Sequence, residues 1–267
     1  MTKGLSQMSH IVFCVVALVL FPLVPSAHGE DLEIANLFKE KNLFGTIVIS
    51  SRDGRKTYTH NDERARTRFV PASTFKIPNT LIALEEAAVA NERTTLKWDG
   101  KDKGLPAWNK DQSIETAFPS SCVWFYQEVA KRIGRDKYVS YLEKLKYGNE
   151  QVGPELTTFW LEGDLKISAT EQIAFLKRLW AESFPFRHSS YELLRKLMVV
   201  EQTPAYTIRA KTGWAQRTVP QVGWFVGYIE AGETVWFFAT NIEMMKPEDG
   251  RLRQEITIET LKLKGII

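Results

Sequence analysis

In Pro71-Ala72-Ser73-Thr74-Phe75-Lys76-Ile77-Pro78 a serine stands three positions before a lysine, where an apolar helical run begins. Positions i and i+3 share one helix face, so Ser73 Oγ and the Lys76 amine can meet without help from distant residues. A serine is a weak nucleophile without a neighbouring base, and an amine serves as base only where its surroundings favour the neutral form. Free N–H groups and the positive dipole end at a first helical turn favour an oxyanion beside Ser73. The same two residues also fit an ordinary helix start, with Ser73 as N-cap and Lys76 in solvent. The rest of the chain has to separate these readings.

Four further stretches offer chemistry. Ser121-Cys122-Val123 opens a helical run with a second hydroxyl, and Tyr147-Gly148-Asn149 is a turn after another. Trp160-Leu161-Glu162-Gly163 sets an indole N–H among apolar residues. Lys211-Thr212-Gly213 ends a strand-like run, where a cation, a hydroxyl and a small residue can line a ligand that docks beside the backbone. Taken singly, each has a structural reading: an N-cap, a helix stop, a core tryptophan, a strand entering a turn.

The elements that must position these residues follow from periodicity. Residues 32–38 have the spacing of a short amphipathic helix, 44–50 are strand-like, and the Asp53-Gly54 turn leads to a second strand at 56–59. Helical spacing then dominates: Leu81, Leu84, Ala88 and Val89 continue a buried helix past Pro78, and 121–133, 138–145, 170–180 and 191–200 follow. Strands return at 206–211, 222–229 and 234–242, the last two as a hairpin, before a closing helix at 252–263. This predicts an α/β protein of the α+β type: an antiparallel sheet built from both chain ends, flanked by helices, with an inserted mainly helical region.

The 267 residues, 44% hydrophobic, suffice for a substantial core. A formal charge of +3 without long Lys/Arg runs suggests neither nucleic acid nor an anionic membrane as partner. Lys3, an apolar run at 11–24 and small residues up to Gly29 read as a cleaved secretory signal over 1–29, too short for a stable membrane anchor. Cys14 falls inside it, so the mature chain 30–267 keeps Cys122 alone and forms no internal disulfide.

Together the motifs carry a family pattern. Ser-x-x-Lys with Lys-Thr-Gly marks serine β-lactamases and penicillin-binding proteins. With Ser121-Cys122-Val123 as second element, and with Tyr147-Gly148-Asn149 and Trp160-x-x-Gly163, the mature chain resembles the class D, or oxacillinase-type, β-lactamases. The resemblance implies a penicillin-binding/transpeptidase-like domain over 30–267 that hydrolyses small-molecule β-lactams in the periplasm and confers resistance. Ser73 would be the nucleophile, Lys76 a CO2-carboxylated general base, Ser121 the proton relay and Trp160 the donor to the carbamate. Backbone N–H groups of Ser73 and Trp214 would form the oxyanion hole. Val123, Leu161, Lys211, Thr212, Gly213, Trp214 and Arg253 would bind substrate. No metal is implied, and no cofactor beyond the CO2 on Lys76. Arg217 resembles an arginine of some carbapenem-hydrolysing members. A peptidoglycan transpeptidase or carboxypeptidase, or a β-lactam-sensing receptor domain, shares the acylation chemistry and is the alternative.

Overall fold

The computed structural model describes residue 1 and residues 30–267, so the expected signal at 1–29 lies, apart from its first residue, outside the described residues. The strands are β1 (Gly45–Ser51), β2 (Thr57–His60), β3 (Val199–Gln202), β4 (Tyr206–Ala215), β5 (Val222–Ala231) and β6 (Thr234–Glu243). They form one six-stranded sheet in the order β2-β1-β6-β5-β4-β3, with every neighbouring pair antiparallel. Both chain ends build it as expected, since β1 lies against β6 with Gly45 opposite Ile242 and Ser51 opposite Trp236.

The helices are α1 (Leu32–Glu40), α2 (Asp62–Arg66), α3 (Lys76–Glu85), α4 (Ile114–Ala117), α5 (Val123–Ile133), α6 (Arg135–Leu145), α7 (Ala169–Trp180), α8 (His188–Leu197) and α9 (Leu252–Leu263). Strand side chains alternate between faces, so the sheet has two cores. On one face Ile47, Phe225 and Phe238 pack with Ile34 and Phe38 of α1 and Ile256 and Leu261 of α9. On the other, Val226, Phe237 and Ala239 join the larger core formed with α7 and the inserted helices. Helix α3 runs through that larger core, and each residue from Lys76 to Leu84 is buried. A helix buried all round must be apolar or hold its polar groups in a special environment, which is how Lys76 loses its water.

Four expectations change. Helix α3 ends at Glu85, because Ala87 adopts a left-handed φ of 50°; Ala88 and Val89 are buried beyond the helix instead of continuing it. Helix α5 begins at Val123, which leaves Ser121 outside it at φ 55°. Val199 and Val200 extend the apolar spacing of α8 but belong to β3, where pairing with β4 overrides the helical pattern. Lys211-Thr212-Gly213 does not end its strand, because β4 stays paired with β5 through Ala215.

Candidate active site

Ser73 sits in a 3-10 turn, Ala72–Phe75, that runs directly into α3. The Thr74 N–H and hydroxyl both donate to Pro71 O, at 3.2 and 2.7 Å, and Trp224 Nε1 donates to Val70 O at 2.9 Å. These contacts fix the turn from below and from the sheet. Gly213 of β4 presses on it from the side, since a Cβ there would lie 2.9 Å from Pro71 O and 3.1 Å from Thr74 Cγ2. Ser73 lies inside the turn, whose N-cap is Pro71, the N-cap of α3 is Phe75, and Lys76 is fully buried, so neither Ser73 nor Lys76 plays the ordinary helix-start role.

Lys76 Nζ donates to Ser73 Oγ at 2.9 Å. Burial brings the amine down to about 7 from its ordinary 10.5, because the interior disfavours the ammonium. Its nitrogen lies 5.2 Å from the centre of the Tyr126 ring. The neighbouring Phe75 packs on Tyr147, Phe159 and Trp160, with ring centres 5.6, 5.2 and 5.8 Å away. Trp160 is fully buried, and its Nε1–H has no hydrogen-bond partner among the described residues. An orphaned buried donor is costly. Together with an amine held near neutrality, it fits a lysine that carries a carboxylate group able to accept from the indole.

The facing wall holds a second serine and lysine. Lys211 Nζ reaches Ser121 Oγ at 2.5 Å and Thr212 O at 3.0 Å. Burial and the nearby charges of Lys76 and Arg253 hold the Lys211 amine well below the usual lysine range. The left-handed backbone of Ser121 is set by its loop: Ser121 N–H donates to Phe118 O at 3.2 Å, and Cys122 N–H to Ala117 O at 2.9 Å. Cys122 is a free, buried thiol, pushed up by that burial.

Between the walls lies a cleft of about 460 Å³. Ser73, Ser121, Val123 and Leu161 line it, with Thr212, Gly213, Trp214 and Arg253 on the strand side. Arg253, from the start of α9, donates through Nη1 to Gly213 O at 2.8 Å, while its buried Nε lacks a partner among the described residues. Burial lowers its guanidinium to about 10. Trp160 is buried and not part of the lining, and Arg217 is paired with Glu162 at 2.6 Å.

Sequence reasoning missed Lys103, Leu105, Trp108 and Gln216, which also line the cleft. The first three lie in a segment legible only as loop, although its tryptophans signalled a packed one. Trp108 Nε1 donates to Ser120 O at 2.9 Å and so steadies the residue before Ser121. The Tyr147-Gly148-Asn149 turn acts at a distance. Gln172 Nε2 donates to the Tyr147 hydroxyl and to Thr74 Oγ1 at 3.4 and 3.1 Å, tying that turn to Ser73. Asn149 Nδ2 donates to Asp164 O at 2.7 Å and its Oδ1 accepts from Lys166 N–H at 2.8 Å, which closes the segment carrying Trp160.

A family model described as the penicillin binding protein transpeptidase domain matches residues 43–262. Beta-lactamase OXA-48 of Klebsiella pneumoniae is 39% identical over 256 residues, 96% of this chain and 97% of that protein. The solved structure of FUS-1 (OXA-85), a class D β-lactamase from Fusobacterium nucleatum subsp. polymorphum, superimposes with a TM-score of 0.87 at 36% identity, covering 90% of this chain and 100% of that one. The chain belongs to the class D β-lactamase family. A class D β-lactamase from Nostoc is similar too, with a TM-score of 0.85 at 42% identity over 87% of this chain and 98% of the other. In this class D β-lactamase the cleft has the Ser73 hydroxyl beside one buried amine on one side and the Ser121 hydroxyl beside a second buried amine on the other.

Proposed function

We propose that the protein hydrolyses β-lactam antibiotics through an acyl-enzyme on Ser73 and thereby confers resistance on its host. The observation that carries this reading is the 2.9 Å contact between Ser73 Oγ and a fully buried Lys76 amine brought down to about 7. Ser73 Oγ attacks the lactam carbonyl, and the backbone N–H groups of Ser73 and Trp214 receive the developing oxyanion. Carboxylated by CO2, Lys76 would supply an anionic general base for the Ser73 proton and for the hydrolytic water. Trp160 Nε1–H holds that carboxylate. Ser121, bonded to Lys211, delivers a proton to the lactam nitrogen as the ring opens. Thr212, Lys211 and Arg253 receive the substrate carboxylate, and Val123 and Leu161 wall the acyl group. With residues 1–29 as an export signal, the mature enzyme acts in the periplasm.

Nitrocefin progress curves and intact-mass spectra test the proposal together. The expected result is many turnovers per enzyme, with a transient penicilloyl adduct that Ser73→Ala abolishes. A single stoichiometric burst followed by a stable adduct would instead assign the chain to sensing or slow transpeptidase-type chemistry.

A further inference from the structure

Asn79 is fully buried on α3, one turn after Lys76, and its Nδ2 has no hydrogen-bond partner among the described residues. Residues three apart share a helix face, and helical side chains lean over the turn that precedes them. The Asn79 amide therefore lies over the turn that carries Lys76. Its orientation is set from outside the helix, because Asn79 Oδ1 accepts from the Tyr138 hydroxyl of α6 at 2.7 Å. Burial pushes the Tyr138 phenol up, so this hydroxyl stays a donor. With the amide oxygen engaged, only the N–H₂ side is left to serve another group.

The surroundings leave that donor little else to serve. Thr80 and Tyr126, the next polar pair along, satisfy each other at 2.7 Å. Tyr138 packs on Phe159 with ring centres 5.1 Å apart, and Phe159 on Trp160 at 5.0 Å. The wall that holds Asn79 is thus continuous with the wall that carries the orphaned Trp160 indole. Two buried donors without partners among the described residues, one on the turn after Lys76 and one on a ring packed against Phe75, are an expensive arrangement unless an acceptor shared by both is present in the working enzyme.

We propose that Asn79 is a positioning residue for a carboxylated Lys76, donating from Nδ2 to the carboxylate alongside Trp160, and that Tyr138 holds the Asn79 amide in the donating orientation. This rests on the carbamate reading of Lys76. It makes retention of CO2 depend on α6 as well as on the Trp160 segment, and it gives the Tyr138–Asn79 hydrogen bond a function beyond packing.

The test is a 13C-bicarbonate titration followed by NMR of the lysine carbamate signal, on the parent protein, Asn79→Leu and Tyr138→Phe at one fixed pH, with thermal melts alongside. Loss of a hydrogen bond to a charged group should raise the bicarbonate concentration for half-maximal signal by about tenfold or more in Asn79→Leu. A smaller rise in the same direction is expected in Tyr138→Phe, which carries the test should Asn79→Leu fail to fold. A signal in the parent with the same half-saturation in the folded variants, whatever their melting points, would overturn the inference and leave the amide a structural group. No carbamate signal in the parent would overturn the carbamate reading itself, and this inference with it.

Discussion

Lys211 Nζ and Ser121 Oγ, 90 positions apart in the chain, are 2.5 Å apart in space. This contact bridges β4 to the loop before α5 and closes the cleft opposite Ser73. It joins a hydroxyl held in a left-handed backbone to an amine that burial has turned towards the neutral form. Ser121→Ala removes the proposed relay but leaves Ser73 in place, so acylation should slow by about a hundredfold to ten-thousandfold, the usual range for a positioned proton donor. Stopped-flow measurement of acyl-enzyme formation checks this. An unchanged acylation rate would remove Ser121 from proton transfer.

Gly213→Ala should lower both stability and turnover. Its Cβ would press on Pro71 O and Thr74 Cγ2, and the turn bearing Ser73 would have to give way. Overpacking of this kind costs about 1–3 kcal/mol. Denaturant titration gives the stability change. Nitrocefin kinetics should show a larger loss in kcat than a mere fall in folded fraction explains.

Arg253→Ala should raise KM more than it lowers kcat, as when a lost contact binds ground and transition states alike. A charge-assisted pair with the substrate carboxylate supports a rise of about tenfold or more. The change also frees Gly213 O from its 2.8 Å hydrogen bond, so a modest loss of melting temperature should accompany it. Steady-state kinetics with unchanged KM would count against a role in substrate binding.

The Lys76 amine sets a pH dependence with a definite sign. Its folded pKa of about 7 lies below the ordinary 10.5, so in that window the unfolded chain binds a proton that the folded chain lacks. Stability from this group therefore rises with pH across the window, and the cost of burying the ammonium is fully present below it. Activity in CO2-depleted buffer should likewise fall as pH drops through about 7 and recover on adding bicarbonate at fixed pH. Trp160→Phe, which keeps the ring and removes the Nε1–H, should accumulate acyl-enzyme by mass spectrometry and require more bicarbonate. A fall in activity through the same pH window with no response to bicarbonate would return Lys76 to simple amine chemistry.

The sequence by itself determined what depends on near neighbours. The three-residue step from Ser73 to Lys76 needs only one turn of backbone, and the closing helix at 252–263 coincides with its apolar spacing. The strands at 222–229 and 234–242 were legible because alternation and a short turn are local signals, as were the motifs that carry the family. Tertiary structure decided the rest. Whether Lys76 is an ammonium or an amine depends on how completely the larger core surrounds α3, and no residue near it in sequence reports that. Val199 and Val200 carry helical spacing, yet β4 pairs with Val199, Glu201 and Gln202 around an irregularity at Val200, and the segment becomes an edge strand. Lys211 reaching Ser121 and Arg253 reaching Gly213 O are contacts across 90 and 40 positions, formed only when sheet and helices pack. Spacing along the chain fixes which side chains share a face, whereas desolvation and long-range hydrogen bonds depend on what is packed against that face.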